Sequence, residues 1–161
     1  MSEENVNLNI GDIAPDFSLP KSKGGEIKLS ELKDKFVVLY FYPKDDTPGC
    51  ALEARDFNQL HSEFEKLDAV IIGISKDDLN SHDNFKDKHC LEFDLVSDNG
   101  YDTAERYGVW GKQSILGVFK YTGIARTSFL IDKQGKIAYI WRNVSVSGHA
   151  AEVLNKIKEI I

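Results

Sequence analysis

The stretch FVVLYFYPKDDTPGC, residues 36–50, decides how this chain is read. Its first seven residues are apolar, β-branched or aromatic on both alternating faces, the composition of a strand buried in the middle of a sheet. Pro43 ends that strand, because it brings no donor to the ladder. Beyond the loop, Phe57, Leu60, Phe64 and Leu67 recur at spacings of 3, 4 and 3, which places them on one face of a helix beginning near Cys50. A cysteine therefore falls where a buried strand has ended and a helix is starting.

Working outward, residues 69–75 read as a second buried strand, and Asp77-Asp78 as a cap to a helix running to about His89 with Leu79 and Phe85 turned inward. Upstream, residues 11–20 form an extended arm, and Gly24-Gly25 turns it back through Ile27 as a β-hairpin. Ser30 reads as the cap of a short helical turn. Downstream, residues 93–96 suit a short strand and residues 104–107 a short helix. Residues 127–131 and 136–141 are two strands joined by the turn DKQG. Residues 148–161 close the chain as an amphipathic helix with Val153, Leu154, Ile157, Ile160 and Ile161 on one side. The Gly-rich stretch 108–123, which carries Trp110, Phe119 and Tyr121, suits an apolar wall near the site or a contact surface. Strands alternating with helices, then a strand pair and a last helix, predict an α/β fold: one domain over 1–161, a central mixed sheet flanked by helices, and an N-terminal β-hairpin. The thioredoxin-like architecture fits that order.

Composition narrows the function. The chain has 161 residues, 42% hydrophobic and 29% charged, and a net charge of −6 with both signs interspersed. Such a surface does not suit nucleic acid or anionic lipid, and no apolar run approaches the ~20 residues of a membrane span. The first residues lack the basic and apolar regions of an export signal, so a cytoplasmic location is expected. Two cysteines are too few for a disulfide framework. The four histidines form no ligand set with them, so no metal is expected, and the absence of C-x-x-C disfavours a disulfide oxidoreductase; a cysteine that attacks directly would need no organic cofactor either.

The loop itself carries the chemistry. Free N–H groups at a helix start favour a thiolate, which is the nucleophilic form of cysteine. Pro48 fixes the backbone direction, Gly49 permits close approach to the main chain, and Thr47 brings a hydroxyl. Taken singly, Cys50 could be a packing cysteine, Thr47 a helix cap and Arg126 a surface residue at a strand start.

The pattern P-x-x-x-T-x-x-C, present as Pro43, Thr47 and Cys50, resembles the active-site motif of the peroxiredoxins. FYPKDDTPGC followed by Ala51-Leu52-Glu53-Ala54, together with RTSFLIDKQGKI from Arg126, is similar to the bacterioferritin comigratory protein branch, also called peroxiredoxin Q. GDIAPDFSLP, SHDNFKDKH, LVSD and GHAAEVL extend the resemblance over nearly the whole chain. The resemblance implies a thioredoxin fold and a monomer. It implies that Cys50 is the peroxidatic cysteine, that Thr47 hydrogen-bonds a hydroperoxide, that Arg126 activates thiolate and substrate, and that Glu53 orients Arg126. Thioredoxin or a similar dithiol protein is the implied reductant. Many members of the branch carry a resolving cysteine five residues after the first, where this chain has Arg55; other relatives carry it in the following helix, where residue 86 is lysine. Cys90, at that helix's end, is either the resolving cysteine or a packing residue, and in the second case an external thiol reduces Cys50.

Overall fold

The computed structural model describes residues 7–115 and 119–161. Its centre is a five-stranded sheet in the order β5-β4-β3-β8-β9, with β3 at Phe36–Phe41, β4 at Ala69–Ser75, β5 at Asp94–Ser97, β8 at Thr127–Ile131 and β9 at Ile137–Trp141. β4 and β5 run parallel to β3, whereas β8 and β9 run antiparallel. The strand expected at the middle is the middle strand, and every residue of it is buried. Val38 and Tyr40 point into one core with Phe57, Phe64, Phe85 and Val153, and Val37, Leu39 and Phe41 into a second with Phe17, Tyr107 and Phe129.

The first core is covered by α1 (Pro48–Gln59), α2 (His61–Lys66), α3 (Leu79–His89) and α5 (His149–Ile160); α4 (Asp102–Arg106) lies over the second. Gly73 makes the first packing layer fit. It pairs with Tyr40, and a Cβ there would sit 2.8 Å from Leu95 and 2.9 Å from the Tyr40 hydroxyl. With no side chain in the way, Tyr40 lies over β4 and stacks on Phe57 at 4.8 Å between ring centroids, joining α1 to the sheet.

The N-terminal hairpin is present as β1 (Ser18–Pro20) and β2 (Glu26–Lys28). Several local expectations shift. The helix drawn through Phe57 and Leu67 is two helices meeting at Leu60, whose ψ of 7° leaves the helical range; Phe57 and Phe64 still reach the core. Ser30 lies inside a 3₁₀ turn, Leu29–Leu32, rather than capping it, and its N–H is taken by Asp16. Leu79 stands half out of the protein in the first turn of α3, and Ile160 and Ile161 run past the core edge into solvent. Residues 110–124, read only as a Gly-rich stretch, contain the antiparallel pair β6 (Trp110–Ile115) and β7 (Phe119–Ile124). Trp110 stacks on Tyr101 at 4.0 Å; the side chains of Phe119 and Tyr121 lie outside the described residues. No described helix is long and apolar enough to cross a membrane.

Candidate active site

β3 delivers the chain to the site, and the residue just before β8 supplies the cation. After Tyr42 the chain bends at Pro43, and Thr47, extended at φ −79° and ψ 155°, is the N-cap of α1 with Pro48 at its first position. Pro at that position gives up a donor the helix would not have used. Gly49 and Cys50 then contribute first-turn N–H groups that have no intrahelical carbonyl. The Thr47 hydroxyl does not cap the helix. It donates to the Lys44 carbonyl at 3.0 Å, which leaves its oxygen lone pairs free to accept.

Antiparallel pairing sets Thr127 opposite Phe41, so Arg126 emerges where β3 ends. One of its terminal nitrogens donates to the Cys50 sulfur at 3.3 Å and the other to Glu53 Oε1 at 2.6 Å. A side chain on Gly49 would press on this guanidinium at 3.3 Å. Cys50 and Glu53 are each 1% exposed, while the Arg126 side chain keeps 18% of its surface in solvent. Burial pushes the Glu53 carboxyl up to about 7, against the pull of Arg126. Burial alone would loosen the proton on Arg126, but Glu53 and then Cys50 outweigh it and hold the guanidinium charged. Of the residues singled out in the sequence, Cys50, Glu53 and Arg126 are thus in direct contact, with Thr47 and Pro43 in the loop leading to them.

Two acidic residues of the loop itself, Asp45 and Asp46, tie it to α3. Asp45 accepts from the Tyr42 hydroxyl at 2.5 Å and from Ser81 at 2.7 Å, and it meets His82 Nδ1 at 2.7 Å. The fully buried His82 also reaches the Val96 carbonyl through Nε2. Asp46, at φ 57°, binds Lys88 and His89 at 2.6 and 3.0 Å. His82, Phe85 and His89 share one face of α3 by their spacing; their partners stand about forty residues away, where no local pattern could show them.

Cys90 is not at the site. It caps α3 in the left-handed region, φ 52° and ψ 44°, and is exposed, and both cysteines are free thiols. Its carbonyl accepts from Asn58 of α1 at 3.0 Å, and Asn58 also takes the Glu92 N–H at 2.7 Å. Among the described residues there is no cluster of three or more His, Cys, Asp or Glu that could hold a metal ion.

Residues 10–140 match the AhpC/TSA family. Peroxiredoxin Bcp of Bacillus subtilis is 46% identical over 155 residues, covering 96% of this chain and 98% of that one. Peroxiredoxin Bcp of Escherichia coli K12 is 41% identical over 152 residues, 94% of this chain and 97% of the other. In three dimensions, PrxQ of Xylella fastidiosa superposes with a TM-score of 0.88 at 39% identity, covering 95% of this chain and 97% of its own. The bacterioferritin comigratory protein of Xanthomonas campestris, described for its alkyl peroxide reduction activity, gives 0.83 at 39% identity over 89% of this chain and 90% of its own. With a cysteine at a helix start, an arginine on its sulfur and relatives matched along nearly their full length, the chain belongs to the AhpC/TSA family, in its bacterioferritin comigratory protein, or peroxiredoxin Q, branch.

Proposed function

We propose that the protein is a cytoplasmic, monomeric thiol peroxidase that reduces hydrogen peroxide and organic hydroperoxides through Cys50 and serves antioxidant defence. The observation that carries this reading is the Arg126 fork, with one arm on the Cys50 sulfur and the other on Glu53. The Cys50 thiolate attacks one peroxide oxygen, the O–O bond breaks, and the leaving oxide takes a proton to become water or an alcohol. Sulfur is oxidised to sulfenic acid, the first rung of the thiol oxidation ladder. The guanidinium and the free N–H groups of Gly49 and Cys50 are aimed where charge develops on the leaving oxygen, and Thr47 can accept the peroxide O–H.

Reduction then proceeds through Cys90. Asn58, which holds the Cys90 carbonyl, is eight residues from Cys50, about 12 Å along the axis of α1. A disulfide needs the two α-carbons within about 7 Å, so the end of α3 and the start of α1 must open. The last turn of α3 has no fully buried residue and is held by Asn58 and by ion pairs near the surface to Asp46, Lys23 and Asp94, the kind of segment that opens at low cost. The resulting disulfide suits a low-potential dithiol protein such as thioredoxin.

A steady-state assay with thioredoxin, its reductase and hydroperoxide tests the reading. Continuous catalytic loss of peroxide is expected; a single stoichiometric oxidation would instead mark a peroxide sensor. Mass spectrometry after one equivalent of peroxide tests the second half, by a Cys50–Cys90 linked peptide rather than a persistent sulfenic acid beside a free Cys90.

A further inference from the structure

Glu53 presents a difficulty that orienting Arg126 does not resolve. Its Oε1 is held by the guanidinium, but its Oε2 is buried and has no hydrogen-bond partner among the described residues. An ionised carboxylate with a bare buried oxygen is costly, and a neutral carboxyl much less so. One cation, Arg126, faces two acidic groups, and its second arm is already engaged by the Cys50 sulfur at 3.3 Å. The other groups bearing on this site add no second cation: Asp56 on the same helix opposes ionisation of Glu53, Tyr40 from β3 has a buried, unpartnered hydroxyl, and the proton on His149 from α5 is loosened by burial and by Arg126. If Cys50 and Glu53 were both ionised, the pocket would hold a net negative charge.

We propose that Glu53 is the proton reservoir of the oxidation step: it keeps its proton while Cys50 is a thiolate and gives it up as the negative charge leaves sulfur. This rests on Cys50 being the oxidised group. Before reaction the cluster is thiolate, guanidinium and neutral carboxyl. Attack on hydrogen peroxide forms the S–O bond, breaks the O–O bond and releases hydroxide; Glu53 loses its proton, through the solvent edge of Arg126, and hydroxide becomes water. Afterwards the cluster is neutral sulfenic acid, guanidinium and carboxylate. The net charge is zero on both sides, and two electrons have moved from sulfur to peroxide oxygen. Reduction of Cys50 to thiolate draws the proton back.

The test uses the full chain with Cys90→Ser, so that sulfenic acid is not drawn into a disulfide, in slightly acidic, weakly buffered solution. One equivalent of hydrogen peroxide is added and the mass gain of one oxygen on Cys50 is confirmed; without that gain, the peroxidase reading itself fails. Infrared difference spectra are expected to show one carboxylic-acid C=O band lost and one carboxylate band gained. A pH indicator should show close to no net proton uptake per sulfenic acid, where a thiolate oxidised alone takes up one. Glu53→Gln serves only to assign the band, which should be missing from its spectrum. Three results overturn the proposal: no acid band in the reduced protein, an acid band that survives oxidation, or an ultraviolet spectrum showing that Cys50 is not a thiolate while Glu53 is protonated.

Discussion

Replacing Arg126 by Met removes the cation while keeping a long side chain, and the structure makes two separable losses from it. The first is kinetic. A preorganised donor 3.3 Å from the reacting sulfur compares with one arm of an oxyanion hole, whose removal costs about 10²–10³ in rate, or ~2.7–4 kcal/mol. The second is structural, because Glu53, 1% exposed, loses its partner, and breaking a buried pair costs about 3–5 kcal/mol. This second loss depends on pH. The carboxyl is raised from 4.5 to about 7 on folding, so the folded chain holds that proton more firmly than the unfolded chain. The stability it contributes is complete below 4.5 and lost as pH rises through about 7, a span of about 3 kcal/mol. Without Arg126 the folded value climbs further and the loss continues into alkaline solution. Urea unfolding of the reduced proteins should therefore show Arg126→Met close to the parent near about pH 5, about 1 kcal/mol weaker near about pH 8, one unit above the parent's value of about 7, and weaker by about as much again for each further unit until its own carboxyl ionises. Adding Glu53→Gln should recover the stability but not the peroxide rate, measured by stopped flow. A double variant that recovers the rate, or a single variant equally stable at both pH values, would refute the reasoning.

Other substitutions probe other parts of the site and fold. Thr47→Val keeps the β-branch and deletes the hydroxyl, so kcat/KM for hydroperoxide should fall about 10–100-fold, the worth of one or two hydrogen bonds, with the unfolding midpoint little changed. Gly73→Ala places a methyl against Leu95 and Tyr40 and should cost about 1–3 kcal/mol in urea unfolding. Asn58→Ala deletes the two bonds that hold Cys90 and Glu92 against α1; amide exchange in the last turn of α3 should quicken, and Cys50–Cys90 disulfide formation with it.

The centre of the fold was legible because its signals are local. Seven consecutive apolar residues could only be an interior strand, and the spacing of Phe57 and Phe64 survived even though the helix carrying them breaks at Leu60. The hairpin β6–β7 was not legible, since strand residues such as Lys112, Gln113 and Lys120 give it no apolar alternation. At the site, the loop marked Thr47 and Cys50 by position, whereas Arg126 was singled out through resemblance, and its contact with sulfur follows from strand register 76 residues away. The Asp45–His82 pair went unread for the same reason. Each residue is ordinary alone, and only the packing of α3 against the loop makes them partners.

The central claim is that Cys50 is the oxygen-accepting nucleophile. Reacting the reduced parent, Cys50→Ser and Cys90→Ser with one equivalent of hydrogen peroxide, while following peroxide loss and peptide masses together, tests it most directly. The account predicts rapid loss in the parent and in Cys90→Ser, with one oxygen on Cys50 in the latter, and none in Cys50→Ser. Peroxide consumption retained by Cys50→Ser would contradict it.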